Sequence, residues 1–521
     1  MSSRPSKAVV ASAGSAGPLD SPVLAFLQVH RRSVVLALCL LAGIRILVFA
    51  AAFPFFTNVD EPAHFDLIEK YSLGHLPARE LETLSRHTAE LMVFHATPQY
   101  LTPRSQYPPG AILAPPGDDP ALRASPAAQA ALAQFQALMN HETGSFPVYY
   151  LAAGFWGAVG RSLGLADAQW VYWIRFLNVP IAMALVFLAH GFARALAPGR
   201  PFFHFALPLL IAFFPQDVFY GLNSDVPAPL LFGLALLLLW RITFEDHSYA
   251  QYVLAGLAVA AAFLTKISNA FILVPLLAAV LGMLHQARRT GAWRTGQLRL
   301  AALLLATFLP IGLWLGRNQL LFGDAAASTQ RLALLTWTVK PLMQVADHPL
   351  FTPAGLGHFF SELITSFWRG ELVWHTQPIA SPVVDAFYLG STALFIAVSV
   401  LHLAVRWPRL DARWRAALLG CFVVVLLGVL FLASISVRYD FGRDSYPSRT
   451  MPYLSSGRLI GGVLLPFAVI YLDGLALVFS AFLRRLSPIW IVLALVAAIT
   501  INETLLTVDV FASRYNWFHL F

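Results

Sequence analysis

About eleven apolar runs of bilayer length recur along this 521-residue chain, and they restrict its fold more than any other feature. Inside hydrocarbon each backbone N–H and C=O must find a partner within the protein, so runs of this kind fold as helices. Their cores lie near 33–56, 170–193, 202–216, 226–243, 250–266, 268–284, 300–317, 386–405, 416–434, 459–481 and 488–504. Length alone would suggest about three soluble domains. The runs overrule that count, and so does composition: the chain is 58% hydrophobic and only 12% charged, where soluble domains carry roughly twice that charged fraction. The expected fold class is an all-α polytopic membrane protein.

A formal charge of +8 would suggest nucleic acid in a soluble chain. Here the arginines gather in short connections between spans, which is a topology signal, and nucleic acid is not an expected partner. Arg31-Arg32, Arg194 with Arg200, the group Arg288, Arg289, Arg294 and Arg299, the group Arg406, Arg409, Arg413 and Arg415, and Arg484-Arg485 mark the cytoplasmic side. Alternation then places 57–169, 217–225, 318–385, 435–458 and the C-terminal tail outside. The expected location is the inner (cytoplasmic) membrane, crossed many times and in contact with its lipids. Cys39 and Cys421 both fall within apolar runs, so neither a disulfide framework nor a zinc site is indicated. Residues 1–32, rich in Ser, Ala, Gly and Pro, read as a disordered cytoplasmic tail before an uncleaved anchor.

Residues 147–164 are apolar enough to cross, yet a crossing there would invert every later arginine cluster. A helix at the outer interface, suited to Tyr149, Tyr150 and Trp156, resolves the conflict. The first outer loop, 57–169, then exceeds a hundred residues, and loops of that length usually have a task. Its stretch 98–120 is dense in proline and reads as irregular. The chain divides into a membrane module over 33–317 that includes this loop, an outer loop over 318–385, and C-terminal helices over 386–521 with the outer loop 435–458.

Each outer connection carries an unusual polar group. Asp60-Glu61 follows the first span directly, and His64 lies one helical turn from Asp60. Carboxylates held where a span meets water are costly and so point to chemistry or ion handling. The next outer loop holds Asp217 and then Asn223-Ser224-Asp225. Lys266 is the only charge within some forty apolar residues, Arg317 opens the next outer connection, and the last one holds Arg438, Arg443, Arg449 and Arg458 in a Pro- and Ser-rich run. Each has a plainer reading. The acidic pair suits the N-terminus of a helix starting near Pro62, Asp225 suits a cap before Val226, Lys266 is placed to snorkel, and Arg317 to anchor at the interface. Together, acids and cations on one membrane face fit a reaction in which a hydroxyl loses its proton to a carboxylate while a phosphate departs toward Lys or Arg.

These residues in this order resemble the membrane glycosyltransferases of the GT-C fold. The likeness is closest to the bacterial branch of aminoarabinose transferases, protein O-mannosyltransferases and uncharacterised relatives. It rests on Asp60-Glu61-Pro62-Ala63-His64, Asn223-Ser224-Asp225, Leu264-Thr265-Lys266, the stretch from Arg317-Asn318 to Gly323-Asp324, and Ser456-Gly457-Arg458. The resemblance covers roughly 33–483 and implies a GT-C-like fold with a polyprenyl-phosphate sugar as donor. It further implies inverting transfer to a hydroxyl of a glycan, lipid or protein. By position it makes Asp60 the base, with Glu61 orienting the acceptor or binding metal. It leaves Lys266, Arg317 and Arg458 for the carrier phosphate, and His64 and Asp225 as further substrate contacts. Metal need stays open: Asp60, Glu61 and Asp225 either gather around a divalent cation or bind substrate directly. The chain lacks a large soluble C-terminal domain and a clear sequon-binding motif, which sets it apart from the oligosaccharyltransferase type. Competing readings are a transporter or lipid flippase using the same acids as a cation or proton relay, a surface-polysaccharide polymerase or ligase, and a non-enzymatic scaffold.

Overall fold

The computed structural model describes residues 22–57, 60–100, 102–106, 119–245, 248–291, 293–444, 446–482 and 487–520. Most of them are helical. Eight helices are long and apolar enough to cross a membrane: Arg31–Ala52, Asp167–Leu196, Ile267–Thr290, Trp293–Phe322, Pro382–Val405, Ala412–Arg438, Gly457–Phe482 and Pro488–Leu506. The three other expected spans are the shorter apolar helices Pro201–Ala212, Ala228–Phe244 and Tyr249–Phe263. Proline sets several boundaries by supplying a preformed first turn, as at Pro201, Pro382 and Pro488.

Burial separates centre from rim. Helix Gly457–Phe482 is enclosed over 83% of its apolar window, whereas Trp293–Phe322 is enclosed over only 17%. The long rim helix turns Leu305, Leu309, Leu313 and Leu320 outward, as a lipid-facing surface requires. A continuous apolar core surrounds the central helix.

Between the first two long spans the chain builds a second, smaller core. Phe55, Phe56, Phe65, Ile68, Tyr150, Trp170 and Tyr172 pack together there. Helices Glu61–Ser72, Arg86–Phe94, Pro147–Ser162 and Asp167–Arg175 supply its elements, and Pro126–Gln136 packs on Arg86–Phe94. Ser85 and Ser125 start two of them by accepting from the backbone N–H groups of Thr88 and Ala128. The segment expected at the outer interface, Pro147–Ser162, packs against Glu61–Ser72, and its Trp156 ring stacks on Trp173 at 4.6 Å. A two-residue antiparallel bridge, Glu82 opposite Asn140 and Thr83 opposite Met139, draws residues 139–142 back beside the start of Glu61–Ser72. Asn140 confirms that register by donating to the Ala63 carbonyl and to Asp66.

Two boundaries differ from expectation. Residues 22–29, assigned to the tail, form a helix whose Leu24 is buried in the main core. Residues 318–385, expected as a loop, begin with the last turn of Trp293–Phe322 and contain the amphipathic helix Pro353–Arg369, capped by Thr352. The rest of the tail, Pro108, Pro109, Pro115 and Pro116 in the proline-dense stretch, and the Arg484-Arg485 marker fall outside the described residues.

Candidate functional site

The polar residues collect where the central helix begins. Arg458 occupies the irregular first turn of that helix, and its Nη2 donates to Asp60 at 2.6 Å across 398 residues of sequence. On its other side lies Asp225, 1% exposed, with Oδ2 at 3.9 Å from Arg458 Nη1. Lys266 closes on the same carboxylate, its Nζ 2.7 Å from Asp225. Asp225 is set by its own turn, where its N–H donates to Asn223 Oδ1 at 2.8 Å. Lys266 is extended, in the break between Tyr249–Phe263 and the next helix, so it reaches sideways instead of along a helix axis. Asp60, Asp225, Lys266 and Arg458 therefore meet.

Burial alone would push the Asp60 carboxyl up, but the Arg458 guanidinium and a hydrogen bond from His141 hold it well below the usual carboxylate range. His141 Nε2 lies 3.5 Å from Asp60 Oδ1 and 3.8 Å from Glu142. The sign of the linkage follows. A carboxyl lowered by folding contributes stability above its unfolded value, near pH 4, and that contribution is lost as pH falls through the folded value. Asp60→Asn should therefore weaken the acid dependence of unfolding below about pH 4. Melting temperatures measured between pH 2 and 6 for both proteins check this, and identical acid limbs would contradict it.

Beside this cluster is a second one. His64 is buried, and its Nδ1 sits 2.7 Å from the Tyr150 hydroxyl, which donates to Glu142 at 3.0 Å. Burial pushes the His64 imidazole down to about 4 against the pull of Glu142 and Asp60, so the ring is neutral at pH 7. Burial opposes charge on Glu142, yet Arg331, donating at 3.0 Å, holds its carboxyl low.

Two expected site residues stand elsewhere. Glu61 is fully buried and turned away from Asp60. Its oxygens accept from Arg175 at 2.7 and 2.8 Å, from the Phe56 N–H at 2.7 Å and from the Leu222 N–H at 2.9 Å. Arg175 in turn donates to the carbonyls of Ala50, Phe53 and Pro54. This ion pair ties the end of the first span to the loop that leads to Asp225. Asp60, Glu61 and Asp225 thus do not converge on one point, and no three His, Cys, Asp or Glu groups are arranged for a metal among the described residues. Arg317 donates to the Pro77 carbonyl and to Asn318, and its guanidinium lies over the Trp314 and Phe322 rings. None of its contacts is with the Asp60 cluster.

No family model matches the chain, and no curated protein or solved structure matches it either. The site must be read from its own geometry.

One participant had no sequence signal. Glu371 accepts from the Ser456 hydroxyl at 2.7 Å and lies 3.3 Å from Arg458 Nε. It follows Gly370, whose positive φ of 87° favours glycine and whose added Cβ would run into the Asp217 carboxylate. Asp217 is half-buried, desolvation pushes its carboxyl up to about 7, and it accepts from the Leu372 N–H at 2.7 Å. Its task is to hold the turn that presents Glu371. His141, Glu142 and Arg331 were also missed: the first two follow the bridge at Glu82–Thr83 in a polar loop with no periodicity, and Arg331 lies in the short helix Thr329–Leu334.

Proposed function

We propose that this chain is a membrane glycosyltransferase of the GT-C kind. In this reading it moves a sugar from a polyprenyl-phosphate carrier to a hydroxyl acceptor on the outer face of the cytoplasmic membrane. The observation that carries the reading is a run of ion pairs, Asp60 to Arg458, Arg458 to Asp225 and Asp225 to Lys266, which gathers two acids and two cations at the head of the most enclosed span. The order of motifs along the chain supports it, as does the excess of arginine on the opposite set of connections.

The chemistry is a single displacement. Asp60 takes the proton of the acceptor hydroxyl, and the oxygen attacks the anomeric carbon. The bond from that carbon to the phosphate oxygen breaks, and its electron pair leaves on the phosphate. Lys266 and Arg458 stabilise the growing charge, Lys as a point charge and Arg through paired N–H donors. A carboxylate held low by Arg458 is a weak base. Once a phosphate shares that guanidinium, Asp60 loses part of its stabilisation and becomes more basic, so donor binding prepares the base. Glu61 serves as the structural tie described above, Arg317 is left out of the phosphate set, and His64 supports the wall beside Asp60 as a neutral ring.

The test uses purified protein in nanodiscs with radiolabelled polyprenyl-phosphate sugars and a hydroxyl acceptor. Wild type should release polyprenyl phosphate and glycosylated product together. Lys266→Ala should lower kcat/KM for the donor by about 10²-fold, the usual scale for losing one group that stabilises developing charge. An intact donor, with substrate-driven proton movement in proteoliposomes, would replace this reading with transport.

A further inference from the structure

Arg458 is surrounded by more negative charge than it needs. Asp60, Asp225 and Glu371 face it, with Lys266 paired to Asp225 and His141 beside Asp60. Three carboxylates face the two permanent cations Arg458 and Lys266, an awkward setting for an incoming anion unless one acid yields. The guanidinium is also incompletely satisfied. Its Nη2 has Asp60, whereas Nε and Nη1 are buried with no aligned hydrogen bond among the described residues. Buried donors of a charged group without an acceptor are costly and mark a place where an acceptor belongs.

The three carboxylates are not equally free to move. Asp225 is 1% exposed and bound by Lys266. Asp60 is fixed at the head of Glu61–Ser72 by the shortest contact in the cluster. Glu371 is the most exposed of the three, at 31%, and its 3.3 Å approach to Nε is poorly aligned. Its backbone is held from behind by Asp217 and by the turn at Gly370, so the side chain swings toward solvent with no change in the fold.

We propose that Glu371 is a placeholder for an anionic phosphate: it covers the Nε edge of Arg458 and is displaced when a phosphate ester binds there. This rests on the reading that Arg458 and Lys266 receive a phosphate, and adds which edge receives it and which residue yields. The Nε edge of a guanidinium sets Nε–H beside an Nη2–H, so a phosphate there takes the unsatisfied Nε donor and shares Nη2 with Asp60. Exchange of a carboxylate for a phosphodiester leaves the local charge unchanged, and displacement costs only the Ser456 hydrogen bond and the weak contact to Nε.

The inference has an unusual consequence, because removing an acid from the site should tighten binding. Full-length protein in a non-ionic detergent is titrated by calorimetry with inorganic phosphate and, separately, with farnesyl phosphate. Glu371→Gln is expected to bind farnesyl phosphate about tenfold more tightly than wild type, as loss of one like charge a few ångströms away implies at intermediate dielectric. Glu371→Ala should shift in the same direction and carries the test if the Gln variant fails to fold. Equal or weaker binding by both variants, with wild type binding measurably, overturns the placeholder role and leaves the phosphate reading standing. Absence of binding in wild type and in both variants overturns the phosphate reading and the placeholder with it. Tightening for farnesyl phosphate but not inorganic phosphate assigns the site to a lipid-borne phosphate, and tightening for both assigns it to the phosphate group itself.

Discussion

On the proposed glycosyltransferase reading, Asp60→Asn is expected to reduce sugar transfer by about 10²- to 10⁴-fold, the range over which a positioned acid or base contributes. The substitution keeps the shape of the side chain and a partner for Arg458, but removes the lone pair that accepts the acceptor's proton. Because Asp225 and Glu371 still face Arg458, the guanidinium is not left without a counter-charge. The fold should therefore survive, with a stability change in the ordinary range of about 0.5–3 kcal/mol. The decisive measurement is single-turnover transfer with saturating donor, alongside a melting curve of the same preparation. Turnover within threefold of wild type would exclude Asp60 as the base.

Arg175→Ala is the second large effect, and it falls on folding. Glu61 and Arg175 are essentially inaccessible, at 0% and 1% side-chain exposure. Removing the arginine leaves a buried carboxylate with only two backbone N–H donors and deprives three carbonyls of theirs. Breaking a buried pair from one side usually costs about 3–5 kcal/mol. Loss of monodisperse protein in detergent, or a melting temperature far below that of Asp60→Asn, is the expected result. Glu61→Gln should fall between the two, since its amide keeps one acceptor for Arg175 and for the backbone. If Arg175→Ala melted like wild type while losing activity, Glu61 would regain a place in the chemistry.

The membrane architecture was largely legible from sequence because hydrocarbon imposes a simple rule: long apolar runs become helices. Every expected run coincides with a helix, although three are short, and Pro201–Ala212 has only 12 residues. The site was legible in part. Isolated charges such as Asp225, Lys266 and Arg458 stand out against apolar surroundings, and they do meet. Adjacent residues were harder to tell apart. Asp60 and Glu61 look alike in a sequence, but one step of helix turns the first toward Arg458 and the second into the Arg175 pocket. Arg317 misled for a related reason, since it lies near the end of a rim helix whose exposed face gives a charge several equivalent directions. Glu371 and His141 had no such contrast to reveal them. Their neighbours are themselves polar, and only tertiary contacts, the turn at Gly370 and the short bridge at Glu82–Thr83, bring them to Arg458 and Asp60.

That bridge has a consequence for how the protein can diversify. It fastens a strip of the water-facing loop, 139–142, beside an acid whose own placement depends on the membrane bundle. Reshaping the strip alters what approaches Asp60 without touching Lys266 or Arg458. On the proposed reading, chains sharing one helical chassis would take different acceptors by exchanging a few residues around His141, and laboratory attempts to retarget the protein should begin there.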